Sequence, residues 1–145
     1  MALNPWMYQG KAFQLPTDAD PKNIQGFVYK IIHVPTGKSY IGKKFFWSSK
    51  SKQVKGKRKK FKIESDWKEY CGSSSYLLAD IEKLGVENFS REILHVCVMK
   101  AHCTYWETYE IFARHCLLNP DQYYNRWVSS RIRSEHLKTL CLKAN

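Results

Sequence analysis

Two short runs of alternating and β-branched residues dominate the hydrophobic pattern of the chain. Gly26-Phe27-Val28-Tyr29-Lys30-Ile31-Ile32 and Lys38-Ser39-Tyr40-Ile41-Gly42-Lys43-Lys44 have the composition of half-buried strands. Between them, Pro35-Thr36-Gly37 joins a fixed φ to a residue free to take positive φ, so the pair reads as a β-hairpin. Ser73, Ser74 and Ser75 then offer N-cap hydroxyls to a helix in which Leu77, Leu78, Ile81 and Leu84 recur at helical spacing, with Gly85 as its stop. Phe89 to Val98 alternates and predicts a third strand. A second helix is predicted from about Lys100 to Leu118, with Trp106, Tyr109, Ala113 and Cys116 on one face and Asn119-Pro120 at its end. Beyond the turn-like Asp121 to Asn125, a terminal helix over Ser129 to Lys143 turns Leu137, Leu140 and Leu142 inward.

Residues 1–23 show no sustained period. Pro5, Pro16 and Pro21 separate scattered aromatics there, so the segment is expected to be an irregular arm packed on the domain. The body of a single domain is expected over 24–126, followed by a helical extension over 127–145.

Charge changes this picture most. Lys and Arg outnumber Asp and Glu by 24 to 13, a formal net charge of +11, and aromatic residues make up 14% of the chain. Basic charge with many rings points to nucleic acid, against the plainer reading of a ribosome-associated or merely basic protein. The bias peaks in the insert 43–62, which holds nine lysines and one arginine around Lys55-Gly56-Lys57-Arg58-Lys59-Lys60. Charge of one sign at that density repels itself, so a loop is expected that grips phosphates and orders when a polyanion arrives. Arg126, Arg131 and Arg133 cluster where the terminal helix should start, a placement that opposes the helix dipole.

Other classes recede. No window offers the roughly 18 apolar residues of a membrane span, and no signal-peptide pattern opens the chain, so a cytoplasmic protein is expected. The five cysteines are odd in number, lack a Cys-x-x-Cys pair and fit reduced thiols. Cys97, His102, Cys103, His115 and Cys116 lack the paired short spacing of a structural zinc site. No P-loop, dinucleotide or serine-hydrolase fingerprint appears. The two glutamates of the second helix differ by their neighbours. Glu110 has Arg114 four residues on and reads as a surface ion pair, whereas Glu107 has no local cation and must reach a distant cation, a metal or solvent.

Val28-Tyr29, followed on the next strand by Tyr40-Ile41-Gly42, resembles the paired signature of the GIY-YIG nuclease family, the first motif standing here as Gly26-Phe27-Val28-Tyr29. The order of the later features is similar as well: a helix, a third strand, a helix bearing Glu107 and then Ile111, and finally Tyr124-Asn125, so that the likeness covers residues 24–126. The lysine-rich insert and the run Glu64 to Ser74 resemble small bacteriophage-encoded members. The resemblance implies a single α+β domain with a central three-stranded, mostly antiparallel sheet flanked by helices, in the order β-β-α-β-α plus a C-terminal helix. It implies a metal-dependent DNA endonuclease that hydrolyses phosphodiester bonds, of phage homing or DNA-degrading type.

In that comparison Tyr29 is the general base or the group that positions the attacking water, and Tyr40 assists it. Glu107 holds one divalent ion, Mg²⁺ or Mn²⁺, and Asn125 orients Glu107 or Tyr29. One departure stands out: no arginine lies between Gly42 and Arg58 to clamp the phosphate. Lys43, Lys44 or a folded-back Arg58 must supply that charge, and Tyr70 stands in for the histidine or tyrosine that often follows. DNA contacts are expected from Lys55, Lys57, Arg58, Lys59, Lys60, Lys62, Tyr70, Arg131 and Arg133. The expected partner is double-stranded DNA, met by a monomer or homodimer; the alternative is a non-catalytic DNA- or RNA-binding regulatory or accessory protein on the same scaffold.

Overall fold

A computed structural model describes residues 3–140. Its central hairpin is formed by β3 (Gly26–His33) and β4 (Ser39–Phe45), which pair antiparallel in full register. On the other side of β3 runs β7 (Phe89–Cys97), also antiparallel, with a bulge beside Val28 and Tyr29. A bulge sharpens local twist and re-aims the side chain next to it.

The sheet has five strands where the sequence pattern predicts three. β1 (Trp6–Tyr8) and β2 (Lys11–Ala12) extend it to the order β2-β1-β7-β3-β4, with β1 parallel to β7. Part of the expected irregular arm is therefore sheet. Strands of three and two residues are too short to display a period, and a parallel partner distant in sequence leaves no local turn signal. Arg91 on β7 fastens this edge: its guanidinium donates to the carbonyls of Asn4 and Tyr70, each at 2.8 Å, and lies over the Trp6 ring.

The insert 43–62 is not a loop either. After β4 the chain forms a separate antiparallel ribbon of β5 (Trp47–Val54) and β6 (Lys57–Glu64). Lys55 and Gly56 both take positive φ, 50° and 76°, the two-residue turn whose twist matches that of its flanking strands. The root is held by Trp47, which donates from its indole to the Ile24 carbonyl at 2.8 Å, and by the buried Phe46 and Trp67. Aromatic anchoring and a favoured turn outweigh the repulsion among lysines that point into water.

Helix α1 (Ser75–Leu84) begins at Ser74, whose hydroxyl accepts from Leu77 N–H, and ends at Gly85. It covers the face carrying the larger aromatic core of Trp6, Phe27, Tyr29, Phe46, Trp67 and Phe89. Helix α2 (Lys100–Ala113) covers the opposite face, packed on Val28, Ile41, Cys97 and Cys116. It stops before the predicted Leu118: Arg114 closes it, His115 turns left-handed at φ 54°, and Cys116–Leu118 is a single 3₁₀ turn. Glu110 does pair with Arg114, but it is buried and not a surface group, because β7 brings His95 Nε2 to within 2.8 Å of its carboxylate.

The predicted terminal helix is absent from the described residues, whose last element is a 3₁₀ turn at Ser134–Leu137. Residues 129–136 offer one apolar side chain, Ile132, too little surface to hold a helix by packing. The remainder of that prediction, including Leu142, lies outside the described residues. Among the described residues no helix is long and apolar enough to cross a membrane.

Candidate active site

Strand β4 lies at one edge of the sheet, and its alternation divides the site residues between two faces. Tyr40, Gly42 and Lys44 face the aromatic core; Ile41 and Lys43 face α2. Tyr29 sits directly opposite Gly42 in the register. Because Gly42 has no side chain, the Tyr29 ring lies across it and carries its hydroxyl toward the edge. A Cβ there would stand 2.6 Å from Tyr29 Cζ and closer still to the hydroxyl oxygen. The glycine thus serves by what it leaves open.

Around that edge is a cleft of about 560 Å³ lined by Tyr29, Tyr40, Lys43, Ser73, Glu107 and Asn125, among others. The rings of Tyr29 and Tyr40 are 6.1 Å apart and those of Tyr29 and Tyr70 6.0 Å apart, the latter edge to face. The Tyr40 hydroxyl is 3.2 Å from Ser73 Oγ. Burial, joined by the neighbouring phenols Tyr40 and Tyr70 and by Glu107, holds the Tyr29 phenol well above its ordinary range, so it is protonated at neutral pH. Burial raises Tyr40 as well, against the Ser73 hydrogen bond, which lowers it.

From the other side α2 presents Glu107. Burial raises its carboxyl and the nearby Lys43 ammonium, 4.0 Å away, partly offsets the rise. Lys43 also donates to Thr104 Oγ1 at 3.0 Å, one turn before Glu107, which fixes the ammonium between helix and strand. Of the two lysines after the second motif, Lys43 therefore joins Glu107. Lys44 goes to the opposite face, where it pairs with Asp66 at 2.7 Å and lies over the Tyr70 ring. Arg58 does not fold back: it belongs to β6, one register pair from the tip of the ribbon.

Asn125 is buried, and its amide does not orient Glu107 or Tyr29. It donates to the Ile41 carbonyl at 2.8 Å and accepts from Ile41 N–H at 3.0 Å, so one side chain completes the open edge of β4 as a further strand would. Ser39 and Tyr124 continue this edge through Tyr124 N–H to the Ser39 carbonyl at 2.8 Å. Asn125→Ala is expected to lower stability by about 2 to 4 kcal/mol, since two buried backbone groups lose their partners. Urea denaturation measures this, and an unchanged midpoint would refute the pinning.

Two cleft residues escape the sequence pattern. Arg126 stacks over Tyr76 and donates to the carbonyls of Pro120, Tyr123 and Asn125, and Trp127, 74% exposed, stands at the rim. Arg126 stands out in the sequence only as part of the arginine cluster before the expected helix, and the one signal for Trp127 is its nearness to Asn125. Arg131 and Arg133 are exposed and do not line the cleft; Arg133 faces Glu135.

The described residues contain no cluster of three or more His, Cys, Asp or Glu able to cage a metal. One half-buried carboxylate, its nearest cation 4.0 Å away, is a donor set that fits only a hard ion whose other positions are filled from outside the protein.

Residues 6–128 match the family model described as "Putative endonuclease segE, GIY-YIG domain". No curated protein and no solved structure matches the chain.

Proposed function

Because the chain belongs to the segE-type GIY-YIG family, we propose that it is a metal-dependent endonuclease that cuts double-stranded DNA in the cleft between Tyr29 and Glu107. A nuclease-type function with DNA as substrate comes with the family. The observation that carries the finer reading is the approach of a phenol and a carboxylate, from opposite faces of the sheet, to the same edge of β4.

The Tyr29 hydroxyl, protonated in the free protein, accepts a hydrogen bond from the attacking water and so orients it, and the proton that the water gives up as the bond forms passes to a phosphate oxygen of the substrate or to solvent. Tyr40, tethered to Ser73, supports that water from the neighbouring strand. Lys43 meets a phosphate oxygen as a point charge, in place of a bidentate arginine. Glu107 is the residue that would hold Mg²⁺ or Mn²⁺, and a bound ion supplies charge stabilisation at the scissile phosphate and the leaving oxygen. The basic ribbon and the run Glu64 to Ser74 support a phage-type homing or DNA-degrading enzyme.

The test is supercoiled plasmid incubated with protein and Mg²⁺, with and without chelator. Chelator-sensitive nicking or linearisation is expected; a mobility shift without cleavage favours a DNA-binding accessory protein instead. Replacing Lys55, Lys57, Lys59 and Lys60 with glutamine should weaken binding whatever the sequence and lower the slope of log K against log salt by about 1 for each phosphate no longer neutralised. An unchanged slope would mean that the ribbon does not touch DNA.

A further inference from the structure

The ribbon of β5 and β6 carries more pattern than a phosphate grip requires. Its register sets Ser49 opposite Lys62, Ser51 opposite Lys60 and Gln53 opposite Arg58, and directly opposed residues of an antiparallel pair share a face. Lys62 Nζ donates to Ser49 Oγ at 2.6 Å, which places those two side chains together. This face is thus a ladder in which each neutral hydrogen-bonding side chain from β5 stands beside a cation from β6. From Lys50 to the tip, the other face pairs Lys50 with Phe61, Lys52 with Lys59 and Val54 with Lys57, cations and apolar groups alone.

The six ladder residues are all exposed. At its root the same face carries Trp47 and Glu64, which hydrogen-bond to the Ile24 carbonyl and the Trp67 indole, so the ladder leaves the domain at a fixed angle. Residues 47–64 hold seven lysines and one arginine against one acid, Glu64, a charge that suits a polyanion. Affinity for phosphate needs cations in no particular order, whereas reading sequence needs donors and acceptors at fixed places. Gln and Arg are the side chains that bind adenine and guanine edges bidentately, and a two-stranded ribbon fits the major groove, about 12 Å wide. At about 3.4 Å per residue, β5 spans about 24 Å, enough to cross the groove with its root still seated on the domain.

We propose that the Ser49–Lys62, Ser51–Lys60 and Gln53–Arg58 ladder enters the major groove of duplex DNA and selects the sequence, with Gln53 and Arg58 against base edges. This rests on the reading that the chain acts on duplex DNA. A distinct module for recognition is then unnecessary, because the ribbon continues from the strand that bears Tyr40 and Lys43.

The experiment is selection of a randomised duplex library by the full chain, run with the wild type, Gln53→Ala, Arg58→Lys and, on the opposite face, Lys52→Gln. Arg58→Lys keeps the charge and removes only the bidentate fork. The wild type should enrich a short sequence. Gln53→Ala and Arg58→Lys should each lose roughly ten- to a hundredfold of the preference at one or two positions, with the salt slope retained. Lys52→Gln should weaken binding evenly and keep the preference. The proposal is overturned if the wild type enriches no sequence, if both ladder variants keep its preference, or if structured RNA outcompetes every duplex. Cleavage in Mg²⁺ of the enriched duplex, or of the unselected library where none is enriched, separates the two readings: preference without cleavage sinks the nuclease and leaves the ladder, and cleavage without preference does the reverse.

Discussion

Tyr29→Phe should cut DNA at least a hundredfold more slowly than the wild type and unfold at nearly the same urea concentration. The ring is packed edge-on against Trp6 at 5.1 Å and Tyr70 at 6.0 Å, within the larger aromatic core, and phenylalanine keeps that packing. Only the hydroxyl at the cleft is removed, and losing the group that positions the attacking water costs about 10²-fold or more. Gly42→Ala attacks the same hydroxyl from the other side. Its Cβ would press on Tyr29 Cζ from 2.6 Å, and the ring cannot retreat into a filled core. That variant should lose activity to a similar degree and also about 1 to 3 kcal/mol of stability. Single-turnover cleavage and urea denaturation on the same preparations distinguish them; full activity in Gly42→Ala would mean that the approach of Tyr29 to the edge is unimportant.

The parts legible in the sequence are those with local signals. The hairpin of β3 and β4 is readable from its strands and turn, and α1 from Ser74, its apolar spacing and Gly85, because each residue there speaks to a neighbour a few positions away. The arm strands are not, because β1 owes its place to β7, more than eighty residues downstream in the hydrogen bonds of Asn4 to Phe89. The ribbon is hidden by its lysines: net charge argues for a loop, and only the register reveals that Arg58, Lys60 and Lys62 share one face and stand beside a glutamine and two serines.

Among site residues the same division holds. Pattern and family resemblance name Tyr29, Tyr40, Lys43 and Glu107, and these line one cleft. Neither can tell Lys43 from Lys44, since that choice is made by which face of the edge strand each occupies. Asn125 is expected to orient Glu107 or Tyr29 and instead holds Ile41, because a side chain that imitates a missing strand can be identified only once the sheet has an edge. Glu110 and Glu107 share a helix, and what separates a buried structural ion pair from a carboxylate open to the cleft is His95 on β7.

Glu107→Ala carries the largest expected effect. Burial already raises this carboxyl, and alanine is a good helix former, so the domain should lose little stability. Removing a negative charge from a cleft that must receive phosphate should leave DNA affinity within about threefold. Cleavage should fall by about a thousandfold or more, because roughly 4 kcal/mol of charge stabilisation is lost at about 1.36 kcal/mol per factor of ten. The decisive measurement is the single-turnover cleavage rate of plasmid saturated with wild-type or Glu107→Ala protein in Mg²⁺, with a chelator control. Chelator-sensitive cutting by the wild type and none by the equally bound variant is the predicted result; cutting by the variant at the wild-type rate, or cutting by the wild type that ignores the chelator, would contradict it.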